Sequence, residues 1–154
     1  MIMIEGNLRP AGFWRRFLSF LLDLAIVNLI CFLFLLIGLV ALQTGLSHTE
    51  IQQPSEDLIL SLASSLFILW LVIFIIYFTL FGWLGGQTPA KMLFSIQVRS
   101  TTQTPLTWAQ AIGRTIGYFL SSLFFFAGFL LILFNKDHRA LHDFLAGTYV
   151  GDLS

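Results

Sequence analysis

Three ionisable side chains interrupt sequence that is otherwise apolar. Arg16 and Asp23 fall in GFWRRFLSFLLD at positions 12–23, and Arg114 closes AQAIGR at 109–114. Arg16 and Asp23 are seven residues apart, so a helix places them two turns apart on one stripe. A carboxylate inside an apolar helix is costly unless something pairs with it. If the apolar segments pack as a bundle, Asp23 and one or both arginines meet, and two kinds of chemistry are open to them. One is a structural ion pair that fixes packing. The other is an ion or proton site: burial disfavours the charged form of a carboxylate and a nearby arginine favours it, and a proton-coupled cation site needs that competition.

Other candidates carry less. His138 and His142 are four apart, beside Asp137 and Asp143. That spacing permits a two-histidine metal site, but the glutamate of a zincin is missing and a surface pair is expected instead. Asp143 is open to capping a turn or to pairing with Arg139, Lys136 or the arginines near the N-terminus. GGQTPAKM at 85–92 lacks the Gly-Lys-Ser/Thr ending of a phosphate-binding loop, and no βαβ unit surrounds it. The single cysteine, Cys31, has no metal-ligand neighbours. No catalytic residue, metal or cofactor is assigned, and an enzyme is not expected.

The elements that must position these residues belong to a membrane protein. Of 154 residues 57% are hydrophobic and 10% charged, where soluble domains carry about 25% charged. The mean hydropathy is +0.87. The seventeen Phe and four Trp suit lipid-facing and interfacial positions. The formal net charge is zero and no Lys/Arg run offers a nucleic-acid footprint. Arg15-Arg16 superficially looks like a twin-arginine signal, but the apolar run after it is long and contains Asp23, so a retained first membrane helix is expected.

Phe17–Leu42 predicts a helix of roughly 39 Å, enough to span with tilt. The loop at 43–57 is acidic, and Glu56-Asp57 suits a helix start. Leu58–Leu84 is the second span, with Leu66–Phe78 facing lipid on several sides. Gly85-Gly86 stops it, and Thr88-Pro89 reads as N-cap and first residue of a short helix to Leu93. Ile96–Arg99 alternates as a strand does, with Thr104–Thr107 as a candidate partner and Thr148–Val150 as a further strand signal. Trp108–Phe134 is a third apolar segment. Ala109, Gly113, Gly117 and Ser121 give it a stripe of small residues on which another helix can pack closely, within the chain or in a homo-oligomer.

The fold class expected is an all-α membrane protein with two transmembrane helices, a third apolar helical segment and a small cytoplasmic β-sheet. Arg9, Arg15, Arg16, Lys91 and Arg99 put the N-terminus and the second loop on the cytoplasmic side of an inner membrane. A third full crossing would put the tail outside, yet Lys136 and Arg139, and the strand signal at 148–150, argue for inside. The third segment is therefore either a straight span or, preferably, a re-entrant hairpin breaking near Ser121-Ser122 or Ala127-Gly128.

The stretches PAGFWRRFLSFLLD, GGQTPAKMLFSIQV, AQAIGR and LHDFLAGTYV, in that order, together resemble the RDD family of bacterial and archaeal membrane proteins. The resemblance covers residues 10–150 and leaves 1–9 and 151–154 as short tails. It implies that the arginine and two aspartates characteristic of the family fall on Arg16, Asp23 and Asp143. It also implies transport as the class of activity, since some members are thought to be sodium–proton antiporters. On that basis the expected function is movement of a small cation, with proton exchange, through a homo-oligomer in the lipid bilayer. The alternative is a membrane assembly or scaffold protein whose Arg/Asp set is structural.

Overall fold

The structure, a computed structural model, describes residues 9–47, 55–102, 105–123 and 139–154. Its elements are α1 (Phe13–Ser47), α2 (Glu56–Gly85), α3 (Pro89–Leu93), β1 (Ile96–Ser100), α4 (Trp108–Leu123), α5 (Leu141–Ala146) and β2 (Thr148–Asp152). The two long helices contain the candidate membrane spans Phe13–Gly45 and Glu56–Gly85, with hydropathies of 2.9 and 2.8. Each exceeds the roughly 30 Å of a bilayer's hydrocarbon core at about 1.5 Å per residue. The chain divides into two compact units, Met1–Asp23 with Ile75–Ser154, and Leu24–Phe74.

The second unit holds the central and later part of α1 and the earlier part of α2. Its large apolar side chains are mostly exposed, as lipid contact requires. Trp70 Nε1 donates to Asn28 Oδ1 at 3.2 Å, and the Trp70 ring stacks on Phe74 with centroids 5.3 Å apart. Asn28 Nδ2 turns back to the Leu24 carbonyl at 2.8 Å. The polar groups of that side chain are thus spent locally rather than on lipid.

The first unit is built by close local fits. Gly86 follows α2 with φ +66, and a Cβ there would fall 2.2 Å from the Val98 carbonyl oxygen. Only glycine allows that approach, which lets Val98 N–H donate to Gly86 O at 2.8 Å and fastens β1 to the end of α2. Thr88 caps α3 ahead of Pro89, as its sequence predicts. Thr107 and Gln110 cap α4 reciprocally: Gln110 N–H donates to Thr107 Oγ1 at 3.3 Å, and Thr107 N–H to Gln110 Oε1 at 3.1 Å.

The sheet corrects one expectation. β1 pairs antiparallel with β2, Val98 opposite Val150 and Ser100 opposite Thr148. Residues 105–107 form no strand. Pro105 has no N–H to give to a ladder, and Thr107 is engaged as the α4 cap. Residues before α1 complete the sheet instead. Pro10 bridges Gly151, Ala11 N–H donates to Val150 O at 2.9 Å, and Asp152 N–H to Arg9 O at 2.8 Å. Ala11, Ile96, Val98 and Val150 form the small core, with Phe94 and Leu106 packed on it.

This ladder bears on the third apolar segment. A straight crossing would carry β2 to the opposite side of a membrane from β1, but the two strands are hydrogen-bonded neighbours. The residues before and after the third apolar segment thus share one small sheet. Ser121 and Ser122 lie inside α4 and mark no break. Ala127-Gly128, like His138, lies outside the described residues.

Two positions of the small-residue stripe are covered within the chain. A Cβ on Gly113 would sit 3.7 Å from Ala146 Cβ, and one on Gly117 only 2.5 Å from His142 Cβ. Gly113 and Gly117 thus lie on the face of α4 against which α5 packs, and Ser121 is buried, whereas Ala109 is exposed. The opposite face, with Trp108, Ile112, Ile116 and Phe119, is exposed.

Candidate functional site

Along α1, Arg16, Ser19, Phe20 and Asp23 are all buried. They recur at the three-, four- and seven-residue spacing of one helical face. The single stripe expected for Arg16 and Asp23 is present. The two side chains nevertheless turn to different partners, so the expected meeting of Asp23 with Arg16 and Arg114 does not occur. The unit holds two polar centres in place of one.

The first centre surrounds Asp143. This residue lies in the first turn of α5, where its Oδ2 accepts the Ala140 N–H at 3.0 Å. Arg16 Nη1 donates to the same oxygen at 2.8 Å, and Arg16 Nη2 to the Val150 carbonyl at 2.9 Å. Arg114 Nη1 donates to Asp143 Oδ1 and to Thr148 Oγ1 at 2.5 Å. One carboxylate therefore ties together α1, α4, α5 and β2. Arg139 closes the turn from outside, with Nε on Thr148 O at 3.1 Å and Nη2 on Asp143 O at 3.2 Å.

Burial alone would push the Asp143 carboxyl up. Arg114, His142 and Arg16, with the Ala140 N–H, outweigh it and hold the group well below the usual carboxylate range. His142 is not the surface residue expected. It is 2% exposed, with its ring 4.3 Å from that of Tyr118. Burial pushes its imidazole down to about 3; Asp143 opposes the shift, and Arg114, Lys91 and Arg16 add to it. At neutral pH it is uncharged. Among the described residues no cluster of three or more His, Cys, Asp or Glu is placed to hold a metal ion.

The second centre surrounds Asp23, which is 0% exposed. Its Oδ1 accepts from Tyr77 Oη at 2.7 Å and from the Ala90 N–H at 3.2 Å. Its Oδ2 accepts from Thr88 Oγ1. All three donors are neutral, and among the described residues no cation lies within ion-pair distance. α3 presents two of them. Thr88 is held as the N-cap by the Lys91 N–H at 3.3 Å, and that geometry turns its hydroxyl hydrogen toward the carboxylate.

Several of these partners were not singled out from the sequence. Tyr77 lies in the apolar Leu66–Phe78 run, yet with Phe74 and Phe78 it marks a buried face at i, i+3 and i+4. Tyr118 is one turn beyond Arg114, so its spacing was a usable signal. Lys91 stood out only as a topological charge. An exposed ion pair adds a clasp at the N-terminus, Arg15 Nη1 to Asp152 Oδ2 at 2.8 Å, of the kind that contributes little in solvent.

Two long apolar helices, a small sheet and a buried Arg–Asp–Arg knot define a small helical membrane protein. Residues 10–147 match the model of the RDD family, and the chain belongs to that family. It is 29% identical over 147 residues to the uncharacterized protein YxaI of Bacillus subtilis (strain 168), covering 92% of this chain and 97% of the relative. It is 28% identical over 148 residues to the uncharacterized membrane protein YteJ of the same organism, covering 91% and 79%. No solved structure matches the chain.

Proposed function

We propose that the protein is a non-enzymatic transporter that exchanges small cations for protons, with the Asp23 carboxylate as the ion-holding group. The observation that carries this reading is the mismatch at Asp23. Among the described residues, a fully buried carboxylate there is met by the Tyr77 and Thr88 hydroxyls and the Ala90 N–H and by no cation. Neutral donors offset part of its desolvation but not its charge, and a proton or a mobile cation is the natural complement. Asp143 is excluded from that role because Arg16 and Arg114 already saturate it.

In this reading Arg16 and Asp143 do not line the ion's path. They lock the tail to α1 and α4, so that α3 and the Asp23 donors stay in place. The basic residues Arg9, Arg15, Lys91 and Arg99 all belong to the same unit, while residues 43–57 carry no Lys or Arg. That asymmetry supports an inner-membrane protein whose N-terminus, sheet and tail face the cytoplasm. Two spans enclose no pathway alone, so the transporting form is a homo-oligomer.

A second reading, a membrane assembly or scaffold protein, is favoured by the Asp143 knot, which is structural in kind. One experiment separates the two. The purified protein is reconstituted in vesicles with an entrapped pH dye, and Na⁺, K⁺ or Li⁺ is added outside. The transport reading requires cation-driven proton movement that disappears in Asp23→Asn while folding and oligomeric state are retained. Absence of flux in the wild type, with Asp23→Asn merely less stable, would give the scaffold reading its place.

A further inference from the structure

Among the described residues of the first unit three cationic side chains are buried: Arg16 is 3%, Lys91 6% and Arg114 3% exposed. Asp143 answers two of them. Lys91 has no carboxylate within ion-pair distance among the described residues, and its Nζ donates to Tyr118 Oη at 3.1 Å. The same phenolic oxygen accepts from Arg114 Nη2 at 2.9 Å. Both cations also lie over the Tyr118 ring, 5.3 Å and 5.6 Å from its centroid. Among the described residues the group thus holds three positive charges, on Arg16, Lys91 and Arg114, and one negative charge, on Asp143. An excess of that size is expensive to bury.

We infer that Tyr118 is carried as a phenolate in the folded protein, supplying the second negative charge of the Arg16–Lys91–Arg114–Asp143 group, and so forms a buried proton-binding site distinct from Asp23. Two cationic donors converging on one oxygen stabilise the anion, because charge-assisted bonds are the strong ones. The alternative balance, a neutral lysine amine accepting a hydrogen bond from an intact phenol, is disfavoured by Arg114, whose donation to the same oxygen favours the proton on the lysine nitrogen. Phe20 and Phe78 cover the ring at 5.2 Å each. His142 packs beside it and is uncharged at neutral pH. Among the described residues Asp143 is the negative neighbour that opposes ionisation.

The step is simple in balance. Folding releases the phenol proton to solvent, and acidification returns it, leaving the group with two uncompensated positive charges. Lys91 ties this group to α3, where Thr88, its N-cap, and Ala90 hold Asp23. A proton at Tyr118 therefore loosens the element that presents donors to Asp23. The ionisation itself does not depend on transport.

Near-ultraviolet absorbance tests the inference, because the chain has only three tyrosines. Tyr77 spends its O–H on Asp23 and is neutral. Folded wild-type protein in detergent, referenced to the same protein unfolded at the same neutral pH, should show the red-shifted tyrosinate band of one tyrosine in three. Tyr118→Phe should lack it, and Lys91→Met should move its onset upward by about one pH unit or more. A folded wild type with no tyrosinate until the pH at which the unfolded chain ionises would overturn the inference, whether or not the protein transports ions. An onset unmoved in folded Lys91→Met would equally count against it.

Discussion

Replacing Asp143 with asparagine keeps the shape of the first polar centre and removes the carboxylate charge that Arg16 and Arg114 share. Arg16 and Arg114, both 3% exposed, would then face each other across a neutral amide. Asp143 accepts three bonds: Arg16 at 2.8 Å, the Ala140 N–H at 3.0 Å, and Arg114. Breaking a buried pair by removing one partner costs about 3–5 kcal/mol, because the charge left behind stays buried. The second arginine pushes the value toward the upper end, and some relief comes if Arg16 reaches the interface, since it begins α1. Thermal unfolding in detergent, followed by circular dichroism, reads the loss. Limited proteolysis reads its location, because α5 and β2 should become cleavable before α1 and α2. Asp23→Asn should behave differently. An amide oxygen still accepts from Tyr77, and the cost is that of one or two neutral hydrogen bonds, about 1 kcal/mol. If Asp143→Asn were as stable as wild type, or if Asp23→Asn were equally damaging, the division into a structural and an ion-holding carboxylate would be wrong.

Three further outcomes follow from particular contacts. Gly117→Ala puts a methyl group where 2.5 Å separates it from His142 Cβ, so α5 must shift, at about 1–3 kcal/mol, seen as a lower unfolding temperature. His142 is held near 3 against 6.5 when unfolded. The unfolded chain then binds the extra proton between those values, and stability falls on acidification through that window by at most about 1.4 kcal/mol per pH unit. His142→Gln should flatten the slope there, while the contribution of Asp143, whose folded value is depressed, persists above its unfolded value and is lost only at lower pH. Arg99 and Tyr149 face each other in the ladder, so Arg99→Cys with Tyr149→Cys should cross-link in membranes. Failure to cross-link would reopen the straight third crossing.

How legible the chain is depends on the range of the interaction. The two spans, the α3 cap and the stop at Gly85-Gly86 follow from local composition and spacing. The tail's return was also readable, because lone strand signals need partners and Thr148–Val150 had to find one. The partner was not readable in full. Ile96–Ser100 is followed by a stretch with its own strand pattern, and only Pro105 and the Thr107–Gln110 cap rule that stretch out. The site divides along the same line. Arg16, Asp23, Arg114 and Asp143 stand out because charge in apolar sequence is conspicuous. Which acid meets which base depends on how α3 and α5 dock, and no local pattern encodes that. The partners of Asp23 are ordinary hydroxyls, Tyr77 and Thr88, that gain significance only from where they converge. Of the small-residue stripe, Gly113 and Gly117 meet α5 of the same chain, a partner that the spacing does not name.

Carbodiimide labelling of Asp23 addresses the central claim most directly. The reagent attacks protonated carboxyl groups in apolar surroundings, and peptide mapping locates the adduct. If Asp23 holds the exchanged ion, its labelling in wild-type protein falls as Na⁺, K⁺ or Li⁺ is raised at constant pH, and Asp143, locked between two arginines, stays unlabelled. Labelling of Asp23 that no cation suppresses would contradict the claim and leave that carboxylate as a structural acceptor for α3.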